Sequence, residues 1–220
     1  MPAVSPLAPA TAAPVVLVHG LYMSGAFMRP LAARLQRYGW RPVTFTYASV
    51  RVDAQANAER LRELLRQLAE PTVHLVGHSL GGLVVRLALV EAETLPLGRV
   101  VTLGTPHEGS HIARWLGGHG LGAIVGRAAA ALDCALPPWQ GQRELGSIAG
   151  TLPVGLGRVV PGLSTPNDGT VMVAETRLAG MSDHLCLPVS HTGLLLSSAV
   201  AAQSHAFLAG GRFRRDAAKC

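Results

Sequence analysis

A doubly wound α/β sheet, mostly parallel and with helices on both faces, is the fold class that this sequence predicts. Three observations carry that expectation. Short apolar, β-branched runs recur along the chain, helical patterns stand between them, and the links are short. The runs are nearly continuous rather than alternating, which suits strands covered on both faces. With 220 residues there is room for one such domain and little more.

The predicted strands are Val15–Val18, Val43–Tyr47, Thr72–Val76, Arg99–Leu103, Arg158–Val160 and Leu185–Val189. Met28, Leu31 and Leu35 fall three and four apart and predict the first helix, with Gly39 as its stop. Leu61, Leu64, Leu65 and Leu68 repeat the i, i+3, i+4, i+7 spacing, with Arg60, Arg62, Glu63, Arg66 and Gln67 on the opposite face. Leu80–Glu93 is apolar almost all round, as expected of a helix packed centrally on a sheet. Leu194–Leu208 predicts a last helix. Between His107 and Leu156 the alternation breaks into a glycine-rich stretch without a clear strand, with weak helical runs at Ile112–Leu116 and Leu121–Leu132. The expected layout is an irregular lead over 1–14, a domain over 15–211 in which 107–156 forms a small lid or helical insertion, and a basic tail over 212–220.

Composition excludes several function classes. Hydrophobic residues make up 49% and charged residues 15%, against a usual charged share of about 25%, which excludes intrinsic disorder. No charge-free run reaches the roughly 18 apolar residues of a membrane span; the nearest, Leu121–Leu136, holds Arg127 and Asp133. The net charge of +6 clusters only at Arg212, Arg214, Arg215 and Lys219, a solvated tail rather than the basic stripe that nucleic acid requires. Cys134, Cys186 and Cys220 show no C-x-x-C spacing, so a reducing compartment without a structural disulfide is expected, with room for a single pair at most. The segment MPAVSPLAPATAAP has four prolines and no basic n-region, unlike a signal peptide. Together these give a cytoplasmic expectation. Oligomeric state is not legible.

The chemistry is written in Gly77-His78-Ser79-Leu80-Gly81, a G-x-S-x-G motif. Alone it is weak, since chance gives on the order of 0.15 occurrences in a chain of this composition. Its place is what matters: it follows a predicted strand and opens directly into a helix, as a nucleophile elbow requires. Small residues two before and two after the serine permit the tight turn. The helix N-terminus and the free amide of Leu80 favour a developing negative charge. A triad in this architecture runs serine, acid, histidine along the chain. Asp168, in a turn-rich loop after the Arg158–Val160 run, is the candidate acid ahead of Asp133 and Asp183. His191, between the last strand and the last helix, is the candidate base ahead of His184 and His205. Val15–Val18 ends in His19-Gly20, where glycine lets the chain turn so that the Leu21 amide could join that of Leu80 in an oxyanion hole. Pocket-rim candidates are His19, Tyr22, His78 and His107; for His19, His74 and His78 a scaffold role is the simpler reading.

The ordered set VVLVHGLYMSG, VHLVGHSLGGLV, VVTLGTPHEGS, PNDGTV and SHTGLL resembles the α/β-hydrolase superfamily, and is most similar to its small bacterial esterases and lipases. The resemblance spans Val15 to Leu195. It implies an α/β-hydrolase fold with Ser79 as nucleophile, Asp168 as acid, His191 as base, the Leu21 and Leu80 amides as oxyanion donors, and Thr105, Pro106 and His107 at the pocket rim. The implied activity is hydrolysis of a small-molecule carboxylic ester, with a hydrophobic acyl group, through an acyl-enzyme and without metal or cofactor. Acyl transfer by the same triad, or a catalytically idle binding relative, are the alternatives. The middle segment is short for an interfacial lid.

A rival motif, His107-Glu108-Gly109-Ser110-His111, matches the H-E-x-x-H of zinc proteases. That reading needs a regular helix to bring both histidines to one metal, and Gly109 and Ser110 are poor helix-interior residues.

Overall fold

Val15, Val16, Leu17 and Val18 are wholly shielded from solvent on both faces, which only an inner strand of a doubly covered sheet allows. They belong to β1 (Pro14–Val18), which pairs in parallel with β2 (Arg41–Phe45) on one side and β3 (His74–His78) on the other. The sheet continues through β4 (Val100–Leu103), β5 (Leu145–Gly150) and β6 (Asp183–Leu187), in the order β2-β1-β3-β4-β5-β6, with every pairing parallel. The computed structural model describes residues 13–90, 94–133, 136–140, 142–155 and 160–214.

Strand periodicity divides the core into two layers. Val16, Val18, Leu75, Val100 and Leu145 face α2 (Ala54–Gln67), α3 (Leu80–Leu89), α4 (His111–Gly118) and α5 (Ala129–Asp133). Val15, Leu17, Val76, Val101, Ile148 and Leu185 face α1 (Arg29–Arg37), α6 (Gly193–Leu196) and α7 (Ser198–Gly210). Helix ends follow local chemistry. Asp53 accepts from the Ala56 amide to cap α2, and Gly39, at φ +88°, carries the left-handed turn after α1. Arg62 of α2 donates to the carbonyls of Leu87, Ala88 and Val90, closing the C-terminus of α3. Leu31 and Leu35 of α1 are fully buried, each worth about 2 kcal/mol of transfer free energy.

The chain moves outward from β1 to β2, then returns past β1 to β3. Strand order therefore reverses between β1 and β3, and beyond the carboxyl ends of two such strands the crossovers leave a crevice. His19-Gly20 and Ser79 emerge there.

Several expectations change. The strand expected at Arg158–Val160 is not the fifth strand: Val160 lies in a bend, and residues 158–159 are outside the described set. The fifth strand is β5, inside the stretch read as strandless. Its sequence, LGSIAG, is small because its layer is already filled: a Cβ on Gly146 would meet the rings of Phe207 and Phe213 at 2.6 and 2.7 Å. Because β5 is part of the central sheet, an insertion cannot extend over the whole of 107–156. The Leu121–Leu132 run is mostly two 3-10 turns, at Gly122–Ile124 and Gly126–Ala128, leading into the short α5. The last predicted helix is two, broken at Ser197, whose hydroxyl caps α7. Residues 1–12 of the lead, 91–93 at the end of the third helix and 215–220 of the tail are outside the described set.

Cys186 on β6 is disulfide-bonded. The expectation of no structural disulfide is overturned, and with it falls one ground for expecting a reducing compartment. Cys134 and Cys220 lie outside the described residues. Among the described residues no helix is long and apolar enough to cross a membrane.

Candidate active site

Ser79 stands between β3 and α3 with φ +54° and ψ −126°, a backbone conformation costly to any residue with a side chain. Such strain costs of order 1–3 kcal/mol and persists only where neighbours enforce it. Here they do. The Ser79 amide donates to the Leu103 carbonyl at 2.9 Å, and the Ser79 carbonyl accepts from the Gly82 amide and the Thr105 hydroxyl, each at 3.0 Å. The turn admits no side chain beside it: a Cβ on Gly77 would lie 2.6 Å from Gly82 Cα, and one on Gly81 would lie 2.3 Å from the Val18 carbonyl oxygen.

Asp168 and His191 arrive from the loops that follow β5 and β6. The Asp168 side chain is 1% exposed. Its Oδ1 accepts from the amides of Thr170 and Val171 at 2.9 and 2.7 Å, and its Oδ2 accepts from His191 Nδ1 at 2.7 Å. The His191 amide donates to the Asp168 carbonyl at 2.9 Å. Pairing at Nδ1 assigns the proton to that nitrogen and leaves Nε2 as the basic one.

Gly104 joins this pair to the serine. It directly follows Leu103, whose carbonyl holds the Ser79 amide, and its φ is +54°. A Cβ there would stand 2.9 Å from Asp168 Oδ2 and 3.1 Å from His191 Nδ1. His78 supplies a second connection, with its ring centroid 4.7 Å from that of His191. Ser79, Asp168 and His191 are thus gathered at one edge of the sheet by β3, β4, β5 and β6.

Gly20 packs against the elbow, where a Cβ would come within 3.0 Å of both Ser79 Cβ and His78 Nδ1. Among the described residues, neither the Leu21 nor the Leu80 amide donates to another protein group. The adjoining Tyr22, at φ +57°, is held through its amide to Ser49 Oγ at 3.1 Å and through its hydroxyl, which donates to the Ile124 carbonyl.

Of the rim candidates, only Tyr22 is at the surface, 62% exposed; His19, His78 and His107 are wholly buried, and so is Thr105. Each is a fixed part of the wall behind the site. His19 donates from Nδ1 to the Gly20 carbonyl at 2.9 Å, accepts the Tyr47 amide at Nε2, and stacks on the Tyr47 ring at 4.3 Å. His107 accepts from Arg86 at Nδ1 and donates from Nε2 to Thr102 Oγ1, at 3.2 and 3.0 Å. Burial, with Arg86 beside it, holds its pKa well below the ordinary value.

The H-E-x-x-H segment is no metal-binding helix. Gly109 takes φ +84°, Ser110 is the cap, and α4 begins only at His111, whose Nε2 donates to the Pro161 carbonyl at 2.9 Å. The two histidines do not share a helical face.

Three further residues escaped sequence reading. Gly104 carried no sign beyond being glycine after a strand. Arg86 on α3 is 3% exposed, and its guanidinium donates to the carbonyls of His107, Leu136 and Pro137. Burial lowers its pKa to about 10, which leaves it charged at neutral pH. Glu175, 3% exposed, accepts the amides of His111 and Met172 at 2.5 and 2.8 Å, fastening α4 to the loop that carries Asp168. Burial raises its pKa.

A parallel sheet with covering helices, and a strained serine between strand and helix with an Asp–His pair at the same edge, place the chain in the α/β-hydrolase fold. Residues 4–152 match the family described as a domain of unknown function, DUF7379, and the chain belongs to it. Its sequence is 34% identical over 116 residues to triacylglycerol lipases of Pseudarthrobacter phenanthrenivorans and Burkholderia plantarii, an alignment covering 47% of this chain and 36% and 32% of theirs. The chain thus spans about a third of the length of these curated relatives. The mature form of the Bacillus licheniformis lipase BlEst2 shares the fold with a TM-score of 0.72 at 22% identity, over 91% of this chain and 92% of that one.

Proposed function

We propose that this chain hydrolyses a small-molecule carboxylic ester through an acyl-enzyme, with Ser79, His191 and Asp168 as its triad. The observation that carries the reading is the 2.7 Å Asp168–His191 pair beside a serine held in a strained elbow. Ser79 Oγ attacks the ester carbonyl while His191 Nε2 takes its proton. The same nitrogen returns the proton to the departing alkoxide. Asp168 fixes the tautomer and stabilises the imidazolium. The Leu21 and Leu80 amides receive the tetrahedral oxyanion, each such donor being worth about 3–4 kcal/mol in comparable sites. Water, activated by His191, then attacks the acyl-enzyme and frees the acid and the serine. The chemistry uses no metal or organic cofactor.

The substrate favoured by the apolar middle segment has a hydrophobic acyl chain of medium length. Specificity constants measured from acetyl to octanoyl esters should rise; a steady fall would reject that preference. Where an alcohol displaces water at the acyl-enzyme, the same residues would catalyse transfer, which product analysis with added alcohol detects. Residues ahead of β5, held through Tyr22 and Glu175, are the part of the chain that would act as a lid.

The direct test is a fluorophosphonate probe followed by peptide mass spectrometry, with Ser79→Ala as control. One adduct, on Ser79 and absent from the variant, supports the reading. Folded protein without an adduct rejects it.

A further inference from the structure

His78, next to the serine, has no part in the scheme above, yet three contacts join it to the machinery. It is wholly buried. Its Nε2 lies 3.0 Å from the His191 carbonyl oxygen, which can only accept, so the His78 proton sits on Nε2 and is donated to the base's own backbone. Its ring packs on the His191 ring at 4.7 Å, tilted by 46°. Its Nδ1 is left bare, without a partner among the described residues, and faces Gly20, where a Cβ would come within 3.0 Å.

We propose that His78 is a positioning residue which sets the reach of His191 toward Ser79 by holding the His191 carbonyl and one face of its ring. The proposal rests on the serine-hydrolase reading above. Asp168 grips His191 at Nδ1, and a ring held at one nitrogen can still swing about that bond. A second hold is needed to aim Nε2, and His78 provides it from the strand that also ends in the nucleophile. Base and nucleophile are thereby referred to one rigid element, β3.

The side-chain type fits that task. Phenylalanine or leucine would fill the space without leaving an orphaned nitrogen, but neither could donate to the His191 carbonyl, so packing alone does not account for histidine. A lysine or arginine would donate, but would set a fixed charge against the imidazolium that forms on His191. His78 is a donor without charge: burial, with His191 and His19 facing it, lowers its pKa to about 3. Asp168, the remaining ionisable group of the site, pairs with the Nδ1 of His191 rather than with His78.

The test compares His78→Phe, which keeps a ring and loses the donor, with His78→Gln, which restores a neutral donor at similar reach. In the Phe variant kcat should fall roughly 10- to 100-fold, as displacement of a reacting group by an ångström does, while KM stays within about twofold. The Gln variant should recover most of the lost kcat. Ring ¹⁵N NMR of the wild-type protein adds a measurement that needs no variant: His78 should be the Nε2-protonated neutral form from pH 8 down to about 4. A folded Phe variant with wild-type kcat overturns the proposal. So does an Nδ1-protonated or cationic His78 at pH 6, which decides the matter if the Phe variant does not fold. Wild-type protein that the fluorophosphonate leaves unlabelled overturns the hydrolase reading and this one with it. Labelled wild type beside a fully active Phe variant overturns this one alone.

Discussion

Asp168 and His191 hold each other twice, once between side chains at 2.7 Å and once between backbones at 2.9 Å. The second bond fixes the distance between their loops, so the first needs no adjustment when a substrate arrives. Asp168 Oδ1 meanwhile keeps its own loop folded through Thr170 and Val171.

Asp168→Asn separates these duties. Asparagine can still accept from the two amides with its oxygen, but its NH2 cannot accept from His191 Nδ1–H, which disfavours the needed tautomer. Esterase kcat should fall about 10³- to 10⁴-fold, with thermal unfolding near that of the wild type. A loss below tenfold would remove Asp168 from the triad.

Gly104→Ala tests the space behind the pair. The new methyl would sit 2.9 Å from Asp168 Oδ2 and 2.7 Å from Leu194 Cδ1, at a φ of +54°. Activity should drop by at least about tenfold and stability by about 1–3 kcal/mol. Urea unfolding and steady-state kinetics on one preparation check both; wild-type values for the two would refute the close approach.

Arg86→Met keeps the length of the side chain and removes its donors. The carbonyls of His107, Leu136 and Pro137 would then lie without their partner. Unsatisfied buried acceptors of this kind should cost about 2–4 kcal/mol, read as a Tm lower by about 5–15 °C. An unchanged Tm would mean that the guanidinium contributes nothing net.

Acid should unfold the protein early. His74 and His184 are held near pKa 4 and His78 near 3, and His107 well below the ordinary value, in each case chiefly by burial. The unfolded chain, with ordinary histidines near 6.5, binds more protons than the native state between about pH 6.5 and 4. Stability is therefore greatest above that window and is lost as pH falls through it, by about 1.4 kcal/mol per pH unit for each such proton. Glu175, whose pKa is raised, opposes this with a single proton. Urea midpoints at pH 7, 6 and 5 should decline in that order; a flat series would contradict neutral buried histidines.

The parts of the fold legible in the sequence were those whose side chains fill their own space. β1 and α3 announce themselves because Val15–Val18 and Leu80–Leu89 bring their own bulk to the core. β5 does not, because Phe207 and Phe213 from another element occupy the room beside Gly146. A strand pattern cannot register a side chain supplied from elsewhere. The same limit explains the site. Motif and chain order single out Ser79, Asp168 and His191 as candidates, whereas Gly104 stands out only through distances to residues far along the chain. The scaffold reading of His19 and His78 fits their burial, whereas the rim reading of His107 does not; their partners were not legible, because Tyr47 and Thr102, which satisfy His19 and His107, lie in other segments.

The left-handed backbone of Ser79 sets two demands on that position against each other. Glycine adopts φ +54° without strain, so Ser79→Gly would yield a more stable protein that cannot form an acyl-enzyme. Evolution toward robustness alone would run downhill away from the proposed nucleophile. If Ser79 has that role, a lineage released from the need to turn over substrate would give up this serine early, because keeping it costs durability.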